Sequence, residues 1–362
     1  TTNPQSDEAS KFKCDGYKIP FCLAGPCSAE SEEQVFNTAK AIASIANVGA
    51  FRAGVWKPRT RPNHFEGVGD IGLTWLKRVK DELGLPVATE VALPRHIESC
   101  LKYGIDILWI GARTTTSPFA IQDLAEALSG TDVTVMVKNP LSADLGLWVG
   151  AIERVHRAGI TRLAAIHRGF YSAIDGKYRS NPLWRLPIEL KQSYPHLPII
   201  CDPSHLSGKR EYIAEVSQMA MDIGLDGLMI ETHINPAVAQ SDAAQQITPA
   251  ALSTLLNNLH VRTKHSEAFD REKEIELLRN KIDRLDFELL EFLHQRKKVV
   301  TEIGKIKNSE NVTVFQQNRL EELLRERTRL GGTLGLSSEY VTDIFNCIHA
   351  ESVKQQTEIF LQ

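Results

Sequence analysis

The chain has 362 residues, enough for one large domain and one small one, with 24% charged residues and a net charge of −3. That near balance offers no basic stripe for nucleic acid and no acidic tail, no apolar run approaches the ~20 residues that cross a membrane, and the polar amino terminus has no signal region. The six cysteines (14, 22, 27, 100, 201 and 347) read as reduced thiols of a cytoplasmic protein rather than a disulfide framework.

The first element is a short apolar run, Phe21–Ala24, which Gly25-Pro26 brings to a stop just before Cys27. Ser31 then opens a helical pattern with Gln34 in capping-box spacing, which places Cys27 on a strand-to-helix loop. The same alternation continues to about residue 265. Further strands are expected at Ala50–Trp56, Pro86–Val91, Ile107–Gly111, Val133–Lys138, Leu163–His167, Ile199–Asp202 and Gly227–Glu231. Helices are expected at 31–46, 70–83, 94–103, 119–129, 144–158, 182–193, 209–223 and 248–264. Eight βα units in roughly 245 residues have the size and period of a (β/α)8 TIM barrel, and their regularity favours closure over an open doubly wound sheet. Segments entering strands are short, whereas Pro58–Gly69, Gly169–Asn181 and Thr232–Ile247, which leave strands, are long. Long loops on one face are the build of an active-site rim.

Reactive side chains gather at those strand ends. Arg52 leads into Lys57-Pro58-Arg59-Thr60, and Glu90, Arg113, Lys138 and Arg168 close the next four strands. In a barrel these converge on one mouth, and such a concentration of guanidinium and ammonium groups calls for phosphate or carboxylate ligands. Across the closure, His205 and Glu231 at the ends of strands seven and eight fall beside Cys27, with Asp242 on the loop that follows. A thiolate, an imidazole and two carboxylates suit a borderline divalent ion such as Mn, Fe, Co or Zn; His233 is the alternative to His205.

Past residue 265 the strand signals end. Ile275, Leu278, Ile282, Leu285, Leu289, Phe292, Val299, Ile303 and Ile306 form a heptad seam about 45 Å long, interrupted by Arg296. Arg279 and Lys307 flank it, roughly 42 Å apart on a straight helix. An antiparallel partner helix would bring Arg279 of one chain to Arg296 and Lys307 of the other, making two identical basic pockets in a symmetric dimer. Further helices are expected at about 316–330, ended by Gly331-Gly332, and at 338–359, capped by Ser337 or Ser338.

Residues 20–265 resemble the metal-dependent 3-deoxy-D-arabino-heptulosonate 7-phosphate (DAHP) synthases. The matching motifs, in the family's order, are Gly25-Pro26-Cys27-Ser28, Lys57-Pro58-Arg59-Thr60, Gly111-Ala112-Arg113, Lys138-Asn139-Pro140, His167-Arg168-Gly169, Asp202-Pro203-Ser204-His205 and Ile230-Glu231. About twenty residues precede the first strand, which matches the shorter microbial branch. The resemblance implies condensation of phosphoenolpyruvate with erythrose 4-phosphate. Cys27, His205, Glu231 and Asp242 would hold the metal, manganese foremost. Arg52, Arg113, Lys138 and Arg168 would bind phosphoenolpyruvate, Lys57 would act on the developing alkoxide, Arg59 and Thr60 would hold the sugar phosphate, and Glu90 would orient a water. The neighbouring octulosonate 8-phosphate synthases carry an Asn-containing motif in place of Lys57-Pro58-Arg59-Thr60, which favours the heptulosonate reaction here.

Residues from about 270 to 360 are similar to the all-helical chorismate mutases, through Arg279, Arg296, Gly304-Lys305-Ile306-Lys307, Arg319, Tyr340, Phe345, Ser352 and Gln356. The resemblance implies that Arg279 of the partner chain, Arg296, Arg319 and Ser352 hold the carboxylates of chorismate while Lys307 and Gln356 act on the ether oxygen. Leu320 departs from that family's Glu, leaving Gln316 to supply the hydroxyl contact. The expected organisation is a synthase over 1–265, joined through about 262–270 to a mutase over 266–362. The helical part would carry a homodimer, or a higher oligomer, and feedback by prephenate or another product. In the competing reading it is mainly a dimerisation and regulatory module.

Overall fold

A computed structural model describes residues 20–57, 65–171, 176–262 and 269–361. The chain divides into two compact units, Thr1–Lys264 and His265–Gln362. No helix among the described residues is long and apolar enough to cross a membrane.

In the first unit, strands β1 (Phe21–Gly25), β2 (Ala50–Arg52), β3 (Val87–Val91), β4 (Ile107–Ile110), β5 (Thr134–Lys138), β6 (Leu163–His167), β7 (Ile199–Cys201) and β8 (Gly227–Glu231) close into a parallel barrel in sequence order. Closure pairs β1 with β8 in a register that sets Gly25 opposite Glu231. Helices α1 (Glu32–Ala43), α2 (Ile71–Leu83), α3 (Pro94–Tyr103), α4 (Ala112–Thr115), α5 (Pro118–Leu128), α6 (Leu145–Arg157), α7 (Arg185–Ser193), α8 (Pro203–Ser207), α9 (Ile213–Asp222) and α10 (Pro249–Asn258) follow the strands. Every strand residue but Glu90 is buried, as expected of a parallel sheet covered on both faces.

The period of two along each strand sorts side chains into two cores. Outward residues such as Cys22, Val87, Leu108 and Val135 pack against the helices. Inward ones, including Phe21, Leu23, Ala50, Ala88, Trp109, Met136, Ile166, Ile200 and Met229, form a separate filling of the barrel. Two residues beyond that apolar floor, the next inward position is Arg52, Glu90, Lys138, Arg168, Asp202 or Glu231. The strand alternation by itself therefore lifts the charged residues to the mouth.

Several boundaries differ from the sequence reading. β2 stops at Arg52 rather than Trp56, because the chain turns to form the isolated bridge between Gly54 and Ser28. β7 stops before Asp202, which caps the short helix α8 by accepting the His205 N–H at 3.0 Å. Neither α8 nor α4 was expected; each is too short to show a helical period.

The second unit holds α11 (Phe269–Ser309), α12 (Gln317–Thr333) and α13 (Ser338–Phe360). Gly331-Gly332 do not end α12; they lie inside its last turn, where Gly331 is buried against Val341. Helix α11 runs 41 residues, about 60 Å. Its buried and half-buried stripe is Leu293, Arg296, Val300, Gly304 and Lys307, on which Arg296 and Gly304 meet Ser352, Gln356 and Ile359 of α13. Gly304 permits the approach, since a Cβ there would stand 2.8 Å from Ile359 and 3.2 Å from Gln356. This stripe lies one residue on from the expected seam. Arg296 is therefore no interruption of a seam but a member of the intrachain face, while Ile275, Leu278, Ile282, Leu285, Leu289, Phe292, Val299, Ile303 and Ile306 are all exposed in the single chain.

Candidate active site

Two glycines make the mouth possible. Gly25 adopts a φ of +149° and a Cβ on it would stand 2.1 Å from the Arg52 carbonyl oxygen. A Cβ on Gly111 would stand 2.2 Å from Glu90 Oε1, so the glycine is what lets that carboxylate lie over the end of β4.

Ligand atoms of Cys27, Glu231 and Asp242 lie within 4.8 Å of one another. The Cys27 thiol is 3.5 Å from Asp242 Oδ2, and Gln246 Oε1 accepts the Cys27 N–H at 3.0 Å. His205 Nε2 approaches Glu231 Oε1 at 3.7 Å, while its Nδ1 stands 2.8 Å from Asp202 Oδ2. A carboxylate on one ring nitrogen, with the other turned to the donor group, is how metal-binding histidines are oriented. His233 does not join this group: it is buried and faces Glu30 at 3.6 Å.

Glu231 is wholly buried, yet its Oε1 accepts no hydrogen bond among the described residues. Burial pushes this carboxyl up, but His205 and Arg52 outweigh it and hold it below its usual range. Burial likewise raises the Cys27 thiol to about 12, with Glu231 and Asp242 adding to it. A buried thiol and an unsatisfied carboxylate oxygen side by side fit a divalent cation, which would displace the thiol proton and satisfy the oxygen.

Cations surround this group. Arg52, 1% exposed, donates through Nη2 to the Cys27 carbonyl at 3.2 Å and stands 3.4 Å from Glu231 Oε1. Its Nε and Nη1 make no hydrogen bond among the described residues, leaving two buried donors for a ligand. Its guanidinium lies 4.7 Å over the Trp109 ring, whose Nε1–H donates to Glu90 Oε2 at 3.1 Å. Lys57 Nζ also reaches the Cys27 carbonyl, at 2.9 Å. Lys138 Nζ is ion-paired with buried Asp202 at 2.8 Å. Burial lowers Arg168 to about 10, with Arg179 and Arg113 contributing against the pull of Asp202, and its Nη1 donates to Ser180 Oγ at 3.1 Å. Arg113 is exposed on α4, at the rim. Arg59 and Thr60 lie outside the described residues.

Sequence reasoning passed over several residues. Asp202, in the motif that ends strand seven, joins Lys138 to His205; burial opposes its ionisation, but His205, Lys138 and Arg52 hold it well below the carboxylate range. Trp109 read only as an apolar strand residue. Arg179, Gln245 and Gln246 lie on long loops, where no periodicity marks a residue.

In the helical unit, Arg296 donates to Ser352 Oγ at 2.5 Å and lines a cavity of about 350 Å³ with Leu293, Ile348 and Gln355. Ser352 and Gln356 are buried nearby on α13, and Gln356 Oε1 has no hydrogen-bond partner among the described residues. Lys307 donates to the Val314 carbonyl at 2.8 Å. Arg279 and Arg319 are not gathered to this pocket: both are exposed and pair with Glu276 and Glu322 on their own helices. Leu320 is half-buried on α12.

Fold and site define a TIM-barrel enzyme with a cationic mouth around a sulfur-and-carboxylate donor group, and a separate three-helix domain. The model of the DAHP synthetase I family matches residues 8–267, and that of chorismate mutase type II matches residues 278–357. The chain belongs to the DAHP synthetase I family, with a chorismate mutase type II domain as its carboxyl-terminal part. The phospho-2-dehydro-3-deoxyheptonate aldolase of Thermotoga maritima is 31% identical over 225 residues, 62% of this chain and 64% of the relative's length. The 2-dehydro-3-deoxyphosphooctonate aldolase of a Synechococcus strain is 32% identical over 276 residues, 70% of this chain and 92% of that protein. The crystal structure of the Thermotoga maritima heptonate aldolase superposes with a TM-score of 0.60 at 27% identity, covering 67% of this chain and 68% of that one.

Proposed function

We propose that the barrel condenses phosphoenolpyruvate with erythrose 4-phosphate in a metal-dependent reaction, and that the helical domain rearranges chorismate to prephenate. The observation that carries the first assignment is the buried Arg52, with two unused donors, set against the Cys27–Glu231–Asp242 group. Phosphoenolpyruvate needs cations for its phosphate and carboxylate; Arg52, Arg113, Lys138 and Arg168 supply them. Lys57 donates a proton or hydrogen bond to the alkoxide that forms as phosphoenolpyruvate C3 attacks the aldehyde, Arg59 and Thr60 hold the sugar phosphate, and Glu90 orients the water that adds at C2 before phosphate leaves. A divalent ion held by Cys27, His205, Glu231 and Asp242 would polarise the aldehyde oxygen as a Lewis acid; manganese is favoured over iron, cobalt or zinc because carboxylate donors outnumber the thiolate.

Chelator-stripped protein should lose synthase activity and regain it on metal addition, measured as phosphate release from the two substrates. Activity that survives stripping overturns the metal assignment. The octonate relatives support a second reading with arabinose 5-phosphate as the sugar; Lys57-Pro58 argues against it. A side-by-side assay decides, since faster turnover of arabinose 5-phosphate would overturn the heptulosonate assignment.

For the helical domain, Arg296, Arg319, Ser352 and Arg279 of the partner subunit bind the carboxylates of chorismate, with Lys307 and Gln356 on the ether oxygen. The exposed apolar seam of α11 supports a homodimer through this domain, or a higher oligomer. Leu320 favours the rival reading, a dimerisation and regulatory module with weak mutase activity. Prephenate bound there would inhibit the synthase, and by linkage the synthase substrates would change prephenate affinity. Synthase rates that do not respond to prephenate would overturn this control. The buried thiols Cys22, Cys100 and Cys201 suit a reducing cytoplasm.

A further inference from the structure

Two side chains behind the metal donors have no part in the reaction above. Gln245, 1% exposed on the loop after β8, donates through Nε2 to Glu231 Oε2 at 2.7 Å and accepts from Arg179 Nη1 at 2.9 Å. The amide can face only one way: a carboxylate only accepts and a guanidinium only donates, so the NH2 must meet Glu231 and the oxygen Arg179. Arg179 arrives from the loop after β6 and also pairs with Asp242 Oδ1 at 3.6 Å. A single guanidinium thus acts on both carboxylates, on Asp242 directly and on Glu231 through one amide.

Both carboxylates are held by one oxygen, Glu231 through a hydrogen bond and Asp242 through an ion pair. Glu231 Oε2 is taken by Gln245, leaving Oε1 without a hydrogen bond and 3.7 Å from His205 Nε2. Asp242 Oδ1 is taken by Arg179, leaving Oδ2 toward the Cys27 thiol. Each acid is tethered by its outer oxygen and turns the inner one to the shared centre. Arg179 is itself anchored, because its N–H donates to the Ser207 carbonyl at 3.1 Å and that of Ser180 to Leu206 at 3.0 Å. Asp242 sits at a φ of +45°, a conformation that its surroundings must impose on a non-glycine residue.

We propose that Arg179 and Gln245 are positioning residues that pre-arrange the Glu231 and Asp242 carboxylates as single-oxygen ligands and so set the affinity of the site for a divalent cation. This rests on the metal reading above. Without the tethers the two acids would be free to turn apart, and binding would have to gather them first.

The test is a titration of cobalt(II) alone into the chelator-stripped full-length protein, read by the near-ultraviolet thiolate-to-cobalt absorption. Gln245→Leu and Arg179→Gln should each weaken binding by about 10- to 100-fold. Arg179→Lys should recover part of the loss. The double variant should lose less than the product of the two single losses, because Arg179 reaches Glu231 only through Gln245. Thermal melting of the stripped proteins reports folding; should Gln245→Leu not fold, Arg179→Gln at its half-exposed position carries the test. Wild-type affinity in both single variants overturns the proposal, and losses that multiply overturn the relay. A wild-type protein that gives no cobalt–thiolate band overturns the metal reading itself, and this proposal with it.

Discussion

Replacing Cys27 with alanine should remove bound metal and lower synthase kcat by roughly 1,000-fold or more, while chorismate turnover stays within about twofold. A Lewis acid at a reacting carbonyl contributes several kcal/mol, and the chain places no other sulfur donor beside Glu231 and Asp242 among the described residues. The thiol is buried and pushed up to about 12, so in metal-free protein it is neutral and a poor nucleophile. Loss of activity would therefore report the metal site and not a lost covalent step. Its neighbours sharpen the outcome: Arg52 and Lys57 both hold the Cys27 carbonyl, which an alanine keeps. Arg52 and Lys57 should therefore stay in place, and KM for phosphoenolpyruvate should change little. Metal content by atomic absorption, taken alongside steady-state rates, checks the prediction. An alanine variant with full metal content would refute it.

Mixing two inactive variants, Arg279→Ala and Arg296→Ala, should restore about one quarter of the chorismate turnover. Each variant alone should fall by about 100-fold or more, because each loses an arginine that orients a substrate carboxylate, and misplacement costs on that scale. Seventeen residues separate the two arginines on α11, or about 26 Å of helix, so one chain cannot bring both to one small ligand. Arg296 is turned inward to Ser352, whereas Arg279 is 63% exposed and pairs only weakly with Glu276. Around a two-fold axis, Arg279 of one subunit would meet Arg296 of the other. If the subunits pair at random, half of the dimers would be mixed, and each mixed dimer would keep one site with both arginines. Co-expression followed by an assay of chorismate loss checks this. Absence of any recovery would show that the two arginines do not share a site across subunits.

The strand alternation was legible in residues 21–231 because each strand is short and apolar and most are closed by a charged residue, a pattern that survives without neighbours. Strand ends were less legible. Asp202 reads as the last residue of a strand, but its side chain caps α8, and capping depends on where the next amide points. On α11 the heptad spacing marked the stripe through Phe292 and Val299. The chain's own contact runs one residue further on, through Leu293 and Val300, because a long amphipathic helix offers two adjacent apolar stripes and spacing does not say which neighbour covers which.

The candidate centre divides along the same line. Cys27, His205 and Glu231 could be named from the sequence because they stand at strand ends and barrel closure makes strand eight the neighbour of strand one, and Asp242 because it is an acid on the loop that follows strand eight. Arg179 and Gln245 could not, since they lie on loops with no period and meet only because the β6 and β8 loops cross over the same mouth. The sequence by itself determined the barrel, its charged rim and the helical tail, all of which follow from local periodicity and chain order. Only the tertiary structure decided which oxygen of each carboxylate is tethered and which is free, because Arg179, more than sixty residues away in sequence, must meet both Asp242 and the Gln245 amide that holds Glu231.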